Sequence, residues 1–114
     1  MMQQARISKY QNKKTEYNGI IFDSRKEAKR YWELEMMQKA GEISDLQRQV
    51  RYEIIPKTAL FKESVYIADF IYRDKKGNQI AEDVKGCRKG TAYEIFKLKK
   101  KLMYITHRIF VVEI

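Results

Sequence analysis

One cysteine, one histidine and one proline occur in the 114 residues. Lone Cys87 cannot close an internal disulfide, and with His107 as the single imidazole there is no Cys/His cluster of the kind that holds zinc. No stretch approaches the roughly 20 apolar residues of a helical membrane span. The opening MMQQARISKYQNKK also lacks the apolar run of a secretory signal. A soluble, cytoplasmic protein with no membrane partner is expected. Acid is the scarcer charge: 15 Asp+Glu against 24 Lys+Arg leave a net +9. That excess favours a polyanionic partner, nucleic acid before an anionic membrane. What is present suffices for one modest core, with 44% hydrophobic and 12% aromatic residues on a chain of single-domain length.

Over residues 1–14 the basic side chains Arg6, Lys9, Lys13 and Lys14 meet no acid and no apolar periodicity, which predicts a mobile basic arm ahead of a domain spanning 15–114. Asn18-Gly19, flanked by Lys14 to Tyr17 and Ile20 to Phe22, predicts a tight hairpin. Ser24-Arg25-Lys26-Glu27 has the form of a capping box and opens a helix from about Arg25 to Ala40, with Ala28, Tyr31, Trp32 and Leu34 on its core side and Glu27 at the border. Alternation of Leu46, Arg48, Val50, Tyr52 and Ile54 predicts a strand ended by Pro56. Strands over Val65–Arg73 and Gln79–Lys85 follow. Thr91-Ala92-Tyr93-Glu94 repeats the capping-box pattern before a helix to about Tyr104, whose apolar side is Ile95, Phe96, Leu98, Leu102 and Met103. A last strand covers 108–114, with His107 at its start. The order implies an α/β fold, a mixed sheet mostly antiparallel at its hairpins and flanked by two helices.

The central hairpin converts this order into geometry. A Lys75-Lys76-Gly77 loop with Gly at the left-handed third position makes Asp74 and Asn78 the closing pair. Counting back, Arg73 opposes Gln79, Ile71 opposes Ala81 and Asp69 opposes Asp83. The two aspartates then have Cβ atoms about 4.5–5.5 Å apart, with Lys85 on the same face. Like charges so placed repel, and a divalent cation is their natural partner. Mg²⁺ suits them because it takes a few carboxylate oxygens and completes its shell with water and phosphate. Glu82 is the rival acid, but alternation turns it away from Lys85.

YIADFIY, then EDVKG after one hairpin, then a basic helix, all preceded by a helix with an inward Glu, resembles the PD-(D/E)XK nuclease superfamily. Asp69 matches the first acid and Asp83-Val84-Lys85 matches (D/E)XK, with Ala68 where the name has proline. Glu27 matches the helical glutamate of the branch that includes Holliday-junction resolvases and phage endonuclease I. A small uncharacterised phage-encoded family looks closest, from about Thr15 to the end. The resemblance implies a restriction-endonuclease-like fold and a homodimeric, Mg²⁺- or Mn²⁺-dependent endodeoxyribonuclease acting on branched DNA in a bacterial host. Its ligands would be Asp69, Asp83 and the Val84 carbonyl, with Glu27 completing the set directly or through water and Lys85 positioning the attacking water.

Arg88 and Lys89 in the glycine-flanked loop, with Lys97, Lys99, Lys100 and Lys101 on the second helix, are candidate phosphate contacts. Gln47 and Gln49 are weaker candidates for substrate contact, carried mainly by the resemblance. Two readings compete: a less selective nicking or end-processing nuclease, and a non-catalytic nucleic-acid-binding protein of the same fold. Residue by residue, Glu27 could be only a cap and Asp69 only a salt-bridge partner of Lys85. The basic helix could be a solvated face.

Overall fold

The computed structural model describes residues 13–114. Most of the expected arm lies outside them, and Lys14 pairs with Asp23 at 3.0 Å. Strands β1 (Thr15–Tyr17) and β2 (Ile20–Phe22) form a separate antiparallel ribbon. Asn18 and Gly19 take φ of 56° and 81° at its tip, as a turn with two left-handed residues requires.

Helix α1 (Arg25–Lys39) starts where the Ser24 hydroxyl accepts the Glu27 backbone N–H at 3.1 Å. The carboxylate of Glu27 turns inward instead of closing the reciprocal half of a capping box. Trp32 is 47% exposed, not core. The buried stripe centres on Glu27 and Leu34, and at 100° per residue Trp32 falls about 140° from Glu27, outside the packed face.

Strands β3 (Ser44–Ile55), β4 (Ser64–Arg73), β5 (Gln79–Asp83) and β6 (Val111–Glu113) make a mixed sheet in the order β3-β4-β5-β6. The first two pairings are antiparallel and β5–β6 is parallel. Helix α2 (Thr91–His107) is the crossover that the parallel pair requires. The fold is thus α/β, with one helix against each face. Phe22, Ala28, Leu34, Phe70 and Tyr72 pack on the α1 side. Tyr66, Ala68, Ile71, Phe96, Met103 and Val111 pack on the α2 side.

Helix α2 departs from expectation at both ends. Gly90 is its N-cap without a side-chain cap bond, and Glu94 pairs with Lys97 at 3.1 Å. The helix runs on through His107, whose ring meets the Glu53 carbonyl at 2.7 Å, so this histidine belongs to the helix end and not to a strand. Ile95 and Leu98 are exposed, and Phe96 and Met103 carry the burial. A helix resting on one sheet face buries a narrow stripe, and the flanking apolar positions stay outside it.

The β4–β5 turn has the expected closing pair: Asp74 N–H donates to the Asn78 carbonyl at 3.0 Å, and Gly77 takes φ 84°. Arg73 pairs with Gln79 and Ile71 with Ala81, as counted. The ladder stops at Phe70 and Glu82, one residue short of the two aspartates.

Candidate functional site

Strand alternation breaks at one level of the sheet. Along β4, Tyr66 and Ala68 face α2, yet Phe70 and Tyr72 face α1. Even-numbered neighbours should share a face, so the chain changes sides across Asp69. Along β3 the same switch separates Val50 and Tyr52, on the α2 side, from Leu46 on the α1 side. Gln49 lies at that switch with φ 52°, a conformation uncommon for a residue other than glycine and frequent at functional sites. Arg48 pairs with Phe70 and Val50 with Ala68, while Gln49 and Asp69 between them are skipped.

Freed from the ladder, these two side chains organise a cluster. The Gln49 amide donates to Asp69 at 3.2 Å and to Glu27 at 3.4 Å. The other oxygen of Asp69 accepts the Val84 N–H at 2.7 Å, so a carboxylate takes the place of the backbone partner where the β4–β5 ladder ends. Direct Asp69–Asp83 pairing therefore does not form. Asp83 instead meets the Lys85 ammonium at 3.0 Å and accepts from the Tyr66 hydroxyl at 2.6 Å. The Lys85 ammonium also sits 3.5 Å from the centroid of the Phe96 ring. The structure thus brings Glu27, Asp69, Asp83 and Lys85 into one neighbourhood, linked by Gln49 and Val84. Among the described residues, however, no three acids, histidines or cysteines stand ready to hold one metal ion. Asp83 is drawn to Lys85 and Tyr66 while Asp69 and Glu27 share Gln49.

Burial raises the Glu27 carboxyl from 4.5 to about 7, with the charges of Asp69, Asp23 and Asp83 adding to it and Arg48 opposing. Asp69 rises from 3.8 to about 6, again chiefly through burial, although the Val84 N–H lowers it and Asp83 raises it. A buried acid and a half-buried one that resist ionisation side by side form a site that a cation would stabilise.

Glu82 belongs to the opposite face. Arg30 grips it with two bonds of 2.7 Å, and the Tyr72 hydroxyl donates to it as well. Its lone pairs are committed to the α1 layer, as alternation implied. Asp83 and Lys85 line a cleft of about 310 Å³ whose other wall is the first turns of α2, including Ala92, Ile95 and Lys99.

The other candidates divide. Lys99 borders the cleft, whereas Lys97 pairs with Glu94, and Lys100 and Arg88 pair with Glu113. Lys101 lines an apolar groove with Tyr104, Ile105 and Phe110. Lys89 is exposed in its loop. Gln47 is an exposed ladder residue opposite Ile71, so Gln49 is the glutamine in the cluster. Arg48 was missed: its guanidinium lies 4.4 Å over the Phe22 ring and 3.9 Å from Glu27, and its buried Nε has no partner among the described residues. An arginine among Leu46, Val50 and Tyr52 on one strand phase was the available signal.

Fold and site define an α/β protein with an acid–lysine cluster beside a cleft at the end of a β-ladder. The chain belongs to the family described as "Protein of unknown function (DUF1064)", which matches residues 7–111. No curated protein and no solved structure matches it. No helix among the described residues is long and apolar enough to cross a membrane.

Proposed function

We propose that the protein is a divalent-metal-dependent endodeoxyribonuclease of the PD-(D/E)XK type, with Glu27, Asp69, Asp83 and Lys85 as its active site. The observation that carries this reading is the break in β3 and β4 at Gln49 and Asp69, which gathers an inward helical Glu, Asp69 and the Asp83-Val84-Lys85 segment. The donor chemistry fits Mg²⁺ or Mn²⁺: the available atoms are carboxylate and carbonyl oxygens, with no sulfur or imidazole. Asp69, Asp83, Glu27 and the Val84 carbonyl would hold the ion. When bound, it polarises a phosphoryl oxygen and lowers the pKa of water.

The chain's own groups do the rest. Lys85 offers a cation beside Asp83, able to orient a water and to offset charge on the phosphate, and the Phe96 ring and Asp83 hold its ammonium in place. Lys99, across the cleft, adds a second positive charge for the DNA backbone. Gln49 keeps Asp69 and Glu27 oriented while they repel each other. Hydrolysis by water leaves a 5′-phosphate and a 3′-hydroxyl with no covalent protein intermediate. The substrate is branched DNA in the cytoplasm of a host cell, cut by a homodimer, because resolving a four-way junction takes two symmetry-related incisions.

Engagement of Asp83 by Lys85 and Tyr66 favours one other reading, a non-catalytic DNA-binding protein of the same fold. Incubation with junction, flap, duplex and single-stranded DNA distinguishes the two. The nuclease cuts the junction in Mg²⁺ and stops in EDTA, whereas binding without cleavage in Mg²⁺ and Mn²⁺ supports the second. Light scattering at micromolar concentration checks the dimer. A strict monomer that only nicks a cruciform plasmid leaves the less selective nuclease.

A further inference from the structure

The turn joining β3 and β4 carries the most exposed large apolar pair among the described residues: Leu60 is 83% and Phe61 71% exposed. Chain freedom does not explain this, because the turn is tied down. The Thr58 hydroxyl accepts the N–H groups of Leu60 and Phe61 at 3.1 and 3.0 Å, and the Thr58 N–H donates to the Phe61 carbonyl at 2.9 Å. Both side chains are thus presented outward by a closed turn on the strands that also carry Gln49 and Asp69. Lys57 and Lys62 flank the pair, both exposed and neither in an ion pair among the described residues. Glu63, the neighbouring acid, is taken by Arg51 at 3.2 Å.

We infer that this turn is a wedge for DNA: Leu60 and Phe61 enter the base stack at a branch point while Lys57 and Lys62 contact the adjoining phosphates. The inference rests on the proposed DNA substrate and names how that substrate is recognised. Charge complementarity selects the occupant. A second copy of this turn would oppose lysine to lysine, whereas nucleic acid offers phosphates for the cations and π-faces for the apolar pair. Insertion of Leu or Phe between base steps costs least where stacking is already interrupted, so the wedge discriminates branched from continuous duplex. About 17 Å of strand separates Asp69 from the end of β4 at Ser64. The turn therefore recognises the branch without touching the carboxylates.

The test uses the full chain, EDTA to prevent cutting, and a four-way junction carrying 2-aminopurine beside the branch. Wild-type protein should raise the 2-aminopurine fluorescence. Leu60→Ala/Phe61→Ala should abolish the rise and weaken junction affinity about tenfold, roughly the loss of one stacked base, with a smaller change on plain duplex. Its melting temperature should stay at the wild-type value, since both side chains are already in solvent. Phe61→Trp should keep the fluorescence rise. Unchanged fluorescence and affinity in the double variant, alongside junction cutting by wild type in Mg²⁺, overturns the wedge alone. Failure of wild type to bind any DNA overturns the wedge and the nuclease reading together. Turn-dependent binding to vesicles of anionic phospholipid, with no response to DNA, overturns the wedge in favour of a membrane contact.

Discussion

Replacing Glu27 by Gln should stabilise the protein in the absence of divalent cations at pH 8, although it removes a residue of the proposed active site. The Glu27 carboxyl is raised from 4.5 to about 7 by burial and by Asp69, Asp23 and Asp83, against the opposing charge of Arg48. A folded state that holds the proton more tightly than the unfolded chain has its full stabilisation below the unfolded pKa and loses it as pH rises through the folded one. The window is therefore about pH 4.5 to 7, with Asp69 acting in the same direction toward its own value of about 6. At 1.36 kcal/mol per pKa unit the Glu27 shift corresponds to roughly 3 kcal/mol, and solvent screening of this partly accessible group reduces it to about 1–2 kcal/mol. Glutamine keeps the shape without the charge and should raise the melting temperature at pH 8 by about 4–10 °C, with little change at pH 4.5. Thermal melts of both proteins in EDTA across pH 4.5 to 8.5 measure this. Millimolar Mg²⁺ should then stabilise wild type at pH 8 and help the variant less. A wild-type chain as stable at pH 8 as at pH 5, or a variant no more stable than wild type at pH 8, refutes the reasoning.

Arg30→Ala leaves Glu82 buried without its bidentate partner and should destabilise the fold by about 3–5 kcal/mol, read by urea unfolding. Lys85→Ala should lower turnover far more than affinity. Neutralising Lys99, Lys100 and Lys101 should chiefly weaken DNA binding and flatten its salt dependence by about 0.9 log unit for each phosphate no longer neutralised. Because Lys100 already serves Glu113, the flattening in a salt titration should be smaller than three such phosphates would give.

Turns were the legible part of this chain. Asn18-Gly19 and the Asp74–Asn78 closure follow from backbone preferences of a few adjacent residues, and they set the β1–β2 and β4–β5 registers. Counting from the second turn reached Phe70 and Glu82 correctly and failed one step later, because it assumed strict alternation. Nothing local instructs Gln49 to adopt a left-handed conformation. It coincides with the level at which β3 and β4 exchange the faces their even-numbered side chains present, with Asp69 bonded to Val84 in the gap. Glu27 was visible as an inward acid, but that its carboxylate faces Gln49 and Arg48 while Ser24 caps the backbone alone depends on tertiary packing. On α2, periodicity marked Ile95 and Leu98 as apolar positions without revealing how narrow the buried stripe is. Leu60 and Phe61 lay in a connection whose composition gave no hint of their exposure.

The most direct test of the account is cleavage of a four-way DNA junction by wild type, Asp83→Asn and Glu82→Gln in parallel, each in Mg²⁺ and in EDTA, with junction binding measured in Ca²⁺. Wild type should cut in Mg²⁺ only, leaving 5′-phosphate ends. Asp83→Asn should bind the junction yet cut at least a hundredfold more slowly, whereas Glu82→Gln should retain activity wherever it remains folded. Cutting by Asp83→Asn at the wild-type rate, or no cutting by wild type in either Mg²⁺ or Mn²⁺, would contradict it.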